Sequence, residues 1–136
     1  CGCGRKGCLE QYASATGLVR LAKRYFEKNT KNSILTGKEI TAKEVFDAAK
    51  AGDAAALEIT EEFGAYLGQA LVNLAATVDP AVFVIGGGGS KAGDILLETV
   101  RKYFYDHAFY GNQKTKITLA TLGNDAGIYG AAKQVL

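Results

Sequence analysis

A helix stop, a short apolar segment and a run of glycines follow one another in the middle of the chain, and together they constrain the fold most. Asp79-Pro80 stops a long helical pattern, because proline cannot continue a helix. Residues 81–85 are then all apolar, which predicts a strand buried on both faces. Gly86, Gly87, Gly88, Gly89 and Ser90 follow directly. This is the order expected at a strand-to-helix junction of a parallel sheet.

The remainder of the back half continues the alternation of strands and helices. Residues 94–106 have a helical pattern. Ile117 and Leu119, with Thr121 as a third candidate, mark a second short strand, and Asn124 or Asp125 caps a closing helix. We therefore predict an α/β fold, with helices packed on a small, mostly parallel sheet.

The front half is predicted to be helical. Residues 9–15 form a short helix that Gly17 breaks, and a second helix follows through Phe26. Residues 29–39 are polar and predict a surface loop. Thr41 and Glu44 have the spacing of a capping box, and Gly52 and Asp53 separate that helix from the next.

The third helix, from residue 54 to about 77, has the strongest pattern. Gly64 and Gly68 lie one turn apart, which predicts a close approach by a neighbouring element. Its apolar stripe is predicted to consist of Ile59, Phe63, Leu67, Ala70 and Leu74.

The size and charge of the chain limit the classes of protein to consider. The 136 residues suit a single domain, which we assign to residues 1–136. A net charge of +2 gives no indication of nucleic acid binding. No apolar run reaches the roughly 18 residues of a membrane span. Three cysteines, an odd number, predict a metal site in a reducing compartment, by default the cytoplasm.

All three cysteines lie within the first eight residues, interleaved with glycines. Cys1, Cys3 and Cys8 could converge on one structural Zn²⁺, which needs a fourth ligand from elsewhere. His107, the only histidine, is one candidate for that ligand, although it is more simply a half-exposed residue near Tyr103. Three incidental cysteines and an iron–sulfur cluster are weaker alternatives. Because the chain starts on a cysteine and contains no methionine, we expect it to be the back part of a longer protein, cut inside a metal site.

Two further features could contact a ligand. The glycine run could present backbone N–H groups to a phosphate, or it could be only a tight turn, because it lacks both the Walker A lysine and the dinucleotide fingerprint. Glu10 could serve the helix macrodipole alone, or it could be a fixed carboxylate that accepts hydrogen bonds from sugar hydroxyls.

Three segments together resemble the ROK family of sugar kinases and sugar-responsive repressors. They are Cys1-Gly-Cys-Gly-Arg-Lys-Gly-Cys-Leu-Glu10, Val84-Ile-Gly-Gly-Gly-Gly-Ser-Lys-Ala-Gly93 and Leu122-Gly-Asn-Asp-Ala-Gly-Ile-Tyr-Gly-Ala-Ala132. Residues 11–17 look most like bacterial glucokinases. The resemblance implies part of the large domain of an actin-like or hexokinase-like (ribonuclease H-like) ATPase, with the N-terminal domain missing from this chain.

The resemblance also implies site residues and cofactors. Cys1, Cys3 and Cys8 would bind structural Zn²⁺ with an upstream histidine, Glu10 would bind the sugar, and Gly86, Gly87, Gly88 and Gly89 would line the ATP cleft. The catalytic aspartate would lie upstream, so no residue of this chain is assigned as the catalytic base. Asp125 is interpreted as a helix cap. Mg²⁺ would neutralise the ATP phosphates.

The resemblance implies that the intact protein transfers the ATP γ-phosphate to glucose in the cytoplasm. Members of the family are often homo-oligomers. This fragment alone is expected to be inactive. No membrane or nucleic acid partner is implied for this part. Fructose, mannose, N-acetylmannosamine and allose remain open as substrates. A ROK repressor with an upstream DNA-binding module is the main alternative, and a small zinc-binding interaction module is a third. The missing upstream sequence would separate these alternatives.

Overall fold

The computed structural model describes residues 1–87 and 92–135. Within these ranges it contains five α-helices and two strands, with three short 3₁₀ turns between them. In chain order they are Leu9–Gln11 (3₁₀), α1 (Ala15–Lys28), α2 (Ala42–Lys50), α3 (Ala54–Val78), β1 (Val82–Ile85), α4 (Asp94–His107), Tyr110–Asn112 (3₁₀), β2 (Lys116–Leu119), Gly123–Asp125 (3₁₀) and α5 (Ala126–Lys133). No helix in the described ranges has both the length and the apolar character needed to cross a bilayer.

Helix α1 begins at Ala15, before Gly17, whereas the sequence pattern predicts that it begins after Gly17. The Ser14 hydroxyl accepts a hydrogen bond from the Gly17 N–H at 3.0 Å, so Gly17 lies in the first turn of α1. A helix over residues 9–15 that Gly17 breaks is therefore wrong. Only the 3₁₀ turn Leu9–Gln11 precedes α1. Gly17 is required for another reason: a Cβ there would lie 2.7 Å from the carbonyl carbon of Tyr12.

The next two helices begin and end as predicted. The Thr41 side chain and Glu44 form a capping box at the start of α2. Gly52 has a φ of +81°, a left-handed conformation that suits glycine, and the Asp53 side chain accepts from the Ala56 N–H to begin α3. Asp79 takes the left-handed conformation at the end of α3, directly before Pro80.

The glycines of α3 allow α4 to pack closely against it. A Cβ on Gly64 would lie 2.7 Å from the Thr99 Cβ, and one on Gly68 would lie 2.9 Å from the Tyr103 Cβ. The close approach predicted for these glycines is confirmed. Because this face turns toward α4, the buried stripe continues through Leu71 and not through Leu74, which is 50% exposed. The assignment of Leu74 to the buried stripe is therefore wrong.

The core lies between the helices and one face of the sheet. Side chains from α1 to α4 and from β2 are completely or almost completely buried there. They include Leu18, Val45, Ile59, Val100, Phe104 and Ile117. On the side of the sheet, the Phe83 ring packs edge to face on the Phe104 ring, with a centroid distance of 6.0 Å.

The two described strands pair in parallel, with Val82 opposite Lys116 and Ile85 opposite Leu119. The parallel β–α–β arrangement is therefore confirmed. Burial of the first strand on both faces is wrong, because Val82 is 45% exposed and Val84 60% exposed. In the described part of the chain, α4 covers the face that carries Phe83, and no element covers the opposite face.

The closing helix α5 forms near its predicted position, with Asp125 as its N-cap residue. The Asp125 side chain makes no capping hydrogen bond, so it fills the predicted position without the predicted contact. None of the described side chains of α5 is buried, and Ile128 is 71% exposed.

Candidate functional site

The three cysteines come together at the N-terminal end. The Sγ atoms of Cys1 and Cys3 are 2.7 Å apart, and those of Cys3 and Cys8 are 3.6 Å apart. Two glycines with positive φ, Gly4 at 75° and Gly7 at 74°, turn the backbone between the cysteines. The segment from Cys1 to Cys8 is called the cysteine loop below.

The three thiols of the cysteine loop are close enough together to hold one metal ion. Thiolates bound to one Zn²⁺ at about 2.3 Å lie roughly 3.8 Å apart, close to the separation of Cys3 and Cys8. The Cys1 Sγ lies nearer to the Cys3 Sγ than that, at 2.7 Å, so these two thiols are not spaced as ligands of one metal ion in this structure. Among residues 1–87 and 92–135, no histidine, fourth cysteine or carboxylate joins this group.

His107 is not part of the cysteine group. It is the last residue of α4, and its ring stacks on the Tyr103 ring with a centroid distance of 3.9 Å. Its Nδ1 lies 2.8 Å from the Tyr103 carbonyl oxygen. This agrees with the interpretation of His107 as an exposed helix residue near Tyr103.

Glu10 directly follows the cysteine loop, in the 3₁₀ turn that Cys8 precedes. The Gln11 side-chain amide donates to its Oε2, and the Thr16 hydroxyl donates to its Oε1 at 3.3 Å. The Thr16 hydroxyl also lies 2.9 Å from the Ser14 hydroxyl, at the start of α1. The carboxylate is therefore exposed but held from two sides.

Contacts that the sequence analysis missed fix this turn to the helices. The Tyr12 ring packs on the Tyr66 ring of α3, with a centroid distance of 4.7 Å. Arg20 of α1 donates from Nη1 to the Gln11 carbonyl oxygen at 2.6 Å. Gly17 lets α1 begin directly beneath Tyr12. A glycine three residues after a capping serine is a sequence signal of this packing, and the interpretation of Gly17 as a helix break is wrong.

The glycine run is described only in part. Gly86 follows β1, and a Cβ there would lie 3.5 Å from the Ala120 Cβ. Gly87 has a φ of +76°, and Gly93 precedes α4 with a φ of +72°. Gly88 and Gly89 lie outside the described residues. Within residues 1–87 and 92–135, the side chain of Glu10 forms hydrogen bonds with Gln11 and Thr16, which are its neighbours in the chain and not part of the glycine run.

Comparisons with known proteins agree with this architecture. The sequence profile of the ROK family matches residues 1–136. A glucokinase from Halalkalibacterium halodurans is 42% identical over 135 residues, which cover 96% of this chain and 41% of that protein. An N-acetyl-D-glucosamine kinase from Vibrio cholerae is 33% identical over 132 residues, covering 97% of this chain and 40% of that protein.

Solved structures have the same fold. The crystal structure of a ROK family glucokinase from Streptomyces griseus, in complex with glucose and AMPPNP, matches 98% of this chain and 46% of its own, with a TM-score of 0.87 and 36% identity. A ROK family transcriptional regulator matches 88% of this chain and 30% of its own, with a TM-score of 0.72 and 28% identity. The chain thus spans less than half the length of each of these proteins.

The solved structures identify the fold, and the family profile identifies the family. The fold is the α/β fold of actin-like and hexokinase-like sugar kinases, as predicted. The chain belongs to the ROK family.

Proposed function

We propose that this chain is the large-domain part of an ATP-dependent hexose kinase, and that glucose is the preferred substrate of the intact protein. The observation that carries the proposal is the carboxylate of Glu10, held by Gln11 and Thr16 directly after a loop with three convergent thiols. The 42% identity to a glucokinase favours glucose over other hexoses.

The role proposed for Glu10 is to accept hydrogen bonds from sugar hydroxyls. An ionised carboxylate is a strong acceptor, and its two supports leave it exposed to a ligand. Phosphoryl transfer depends mainly on the positioning of its reactants. A carboxylate fixed by its neighbours therefore suits this reaction better than a mobile one.

The role proposed for Cys1, Cys3 and Cys8 is to bind a structural Zn²⁺, with the fourth ligand outside the described residues. The metal would supply rigidity to the loop and no chemistry. The role proposed for Gly86 and Gly87, and for Gly88 and Gly89 beyond the described residues, is to line the ATP cleft. In this proposal Mg²⁺ binds with ATP, and the catalytic aspartate comes from outside this chain.

Kinetics of the full-length protein test the sugar site. Replacement Glu10→Gln removes a charged acceptor, and hydrogen bonds to charged groups contribute about 1.5–3 kcal/mol. We expect kcat/KM for glucose to fall about tenfold to a hundredfold, with KM for ATP nearly unchanged. A coupled assay of ADP release measures both, with glucose varied at saturating ATP and ATP varied at saturating glucose.

Glu27→Gln is the matched control, because Glu27 is exposed on α1 and its side chain has no hydrogen bond or ion pair with the described residues. It should leave both constants unchanged. Wild-type glucose kinetics in the Glu10→Gln enzyme would refute the role of Glu10. Absence of ATP-dependent turnover with any hexose would refute the kinase proposal itself.

Metal analysis of the full-length protein tests the zinc proposal. We expect about one Zn²⁺ per chain by plasma mass spectrometry, and its loss in Cys3→Ser and Cys8→Ser. Arg5→Lys lies in the same loop and should retain the metal. Zinc at the wild-type level in both cysteine variants would contradict the assignment.

A sugar-responsive transcriptional repressor is the second candidate, and the likeness to a ROK family transcriptional regulator favours it. Sugar-dependent DNA binding by the full-length protein, without phosphorylation of hexoses, would select it. For either candidate we propose a homo-oligomer. We also propose a cytoplasmic location, because closely spaced free thiols suit a reducing compartment.

A further inference from the structure

A chain of hydrogen bonds that begins in the first turn of α1 ends on the carboxylate of Glu10. The Gly17 N–H donates to the Ser14 hydroxyl oxygen at 3.0 Å, and the hydroxyl oxygens of Ser14 and Thr16 lie 2.9 Å apart. The Thr16 hydroxyl lies 3.3 Å from Oε1 of Glu10. A backbone group of the helix is thus linked, through two hydroxyls, to a side chain of the preceding 3₁₀ turn.

The donor in each contact follows from the hydrogens that are available. An ionised carboxylate can only accept, so Thr16 donates its one hydroxyl hydrogen to Glu10. The contact between Thr16 and Ser14 therefore uses the hydroxyl hydrogen of Ser14, whose oxygen accepts from the Gly17 N–H. The chain runs in one direction, from the helix to the carboxylate. Hydrogen bonds aligned in this way polarise one another, which strengthens the last one.

Other contacts hold the backbone of the turn that carries this carboxylate. The ring of Tyr12 packs on the ring of Tyr66 in α3, with a centroid distance of 4.7 Å. Arg20 donates to the Gln11 carbonyl oxygen at 2.6 Å. Neither contact uses the side chain of Thr16. Loss of the Thr16 hydroxyl should therefore release the carboxylate and leave the backbone of the turn in place.

The two supports of Glu10 leave acceptor sites on both of its oxygens. A carboxylate has roughly four lone-pair sites, two on each oxygen. Thr16 uses one site of Oε1, and the Gln11 side-chain amide uses one site of Oε2. No other described residue bonds to this carboxylate, so each oxygen can accept from a ligand as well. The bonds from Thr16 and Gln11 set the direction in which the remaining sites point.

We propose that Thr16 is a positioning residue of the sugar site. Its hydroxyl, oriented by Ser14, holds the Glu10 carboxylate in the orientation in which both oxygens accept from sugar hydroxyls. The inference rests on the sugar-binding role proposed for Glu10, and it assigns Thr16 no contact with the sugar. A side chain that is ordered before the ligand arrives loses less conformational entropy on binding, so preorganisation favours the complex.

Glucose kinetics of the full-length protein test the proposal. Thr16→Val replaces the hydroxyl by a methyl group of similar size. We expect kcat/KM for glucose to fall about tenfold, with KM for ATP within about twofold of the wild-type value. Thr16→Ser keeps the hydroxyl and should remain within about threefold of the wild type. Wild-type kinetics in Thr16→Val, or an equal loss in Thr16→Ser, overturns the proposal.

Thr30→Val is the matched control for this substitution. Thr30 is exposed in the loop after α1, and its hydroxyl has no hydrogen bond with the described residues. Its glucose and ATP constants should equal those of the wild type.

A double-mutant cycle tests whether Thr16 acts through Glu10. In Glu10→Ala no carboxylate remains to be positioned, so the addition of Thr16→Val should change kcat/KM for glucose by less than about twofold. A further tenfold loss there would mean that Thr16 acts independently, and the inference would fail. Wild-type glucose kinetics in Glu10→Ala alone would refute the role of Glu10, and the inference with it. A loss in Glu10→Ala with none in Thr16→Val would refute only the inference.

Thermal unfolding distinguishes positioning from support of the fold. Thr16 is exposed, so we expect Thr16→Val to melt within about 2 °C of the wild type. A fall of more than about 5 °C would show that Thr16 stabilises the fold, and would overturn its assignment as a positioning residue.

Discussion

Gly64 has no side chain because Thr99 of α4 occupies the space that a methyl group would need. The Thr99 Cβ, Oγ1 and carbonyl carbon all lie within 3.0 Å of the position of an added Cβ. The carbonyl carbon belongs to the backbone of α4 and the Cβ is bonded to it, so neither atom can move away without shifting the helix. The absence of a side chain at this one residue therefore decides how closely α3 and α4 approach each other.

Replacement Gly64→Ala should therefore destabilise the 136-residue chain by about 2 kcal/mol, because overpacking outweighs the gain in helix propensity. Gly130→Ala is the control, since Gly130 is helical and has no atom within 4 Å of an added Cβ. We expect it to be neutral or stabilising by up to about 1 kcal/mol. Urea unfolding followed by circular dichroism measures both. Equal stabilities of the two variants would contradict the packing described.

At the scale of elements, Asp53 joins the start of α3 to the loop that precedes α2. Its Oδ1 accepts from the Ala56 N–H at 2.9 Å and from the Ser33 hydroxyl at 3.0 Å. Its Oδ2 accepts from the Ile34 N–H at 2.8 Å. One carboxylate thus caps a helix and holds a polar loop that has no regular structure.

Asp53→Ala should lower the free energy of unfolding by about 2 kcal/mol, because it removes the cap and two loop contacts. Asp53→Asn keeps an acceptor for Ala56 and Ser33, so we expect it to lose about half as much. Urea unfolding at neutral pH measures both losses. A loss in Asp53→Ala no greater than that in Asp53→Asn would show that the contacts of Asp53 contribute little.

The same carboxylate makes the stability depend on pH. Partial burial raises the pKa of Asp53, but hydrogen bonds from Ala56, Ile34 and Ser33 outweigh burial and hold the pKa below its ordinary value of 3.8. The folded state thus favours the ionised form. Its contribution is complete above pH 3.8 and is lost as the pH falls through the lower pKa of the folded state.

We therefore expect the stability difference between the wild type and Asp53→Asn to be constant from pH 7 to about pH 5, and to shrink at more acidic pH. Thermal unfolding of both proteins over this series gives the difference at each pH. A difference that grows on acidification would mean that the sign of the pKa shift is wrong.

At the scale of the whole molecule, the described part of the chain has a well-packed helical layer and a poorly covered sheet. Val84 and the apolar residues of α5 are exposed, whereas the core between α1, α2, α3 and α4 is closed. The chain also spans less than half of its relatives. Helical packing should therefore form without the remaining polypeptide, and the assembled active site should not.

We predict that the 136-residue chain alone neither phosphorylates glucose with ATP nor binds glucose tightly, because most of the implied catalytic groups lie outside it. We also expect it to self-associate through exposed apolar surface. A coupled kinase assay and light scattering at several protein concentrations measure these properties, with the full-length protein as the positive control. Measurable ATP-dependent turnover by the fragment would refute the first prediction.

The sequence was sufficient for features that depend on residues close together in the chain. The capping box of Thr41 and Glu44, the stop at Asp79-Pro80 and the convergence of Cys1, Cys3 and Cys8 were all predictable. Each depends on hydrogen bonds, backbone conformations or side-chain reach within a few residues.

Only the tertiary structure decided which surfaces meet. The sequence alone determined an α/β alternation and a cysteine loop that precedes Glu10. The sequence did not predict that Gly17 packs against the backbone of Tyr12, or that the buried stripe of α3 contains Leu71 and not Leu74. It also did not predict that Val84 is exposed. An apolar residue has the same identity whether or not a partner covers it, so its burial depends on elements distant in the chain or outside it.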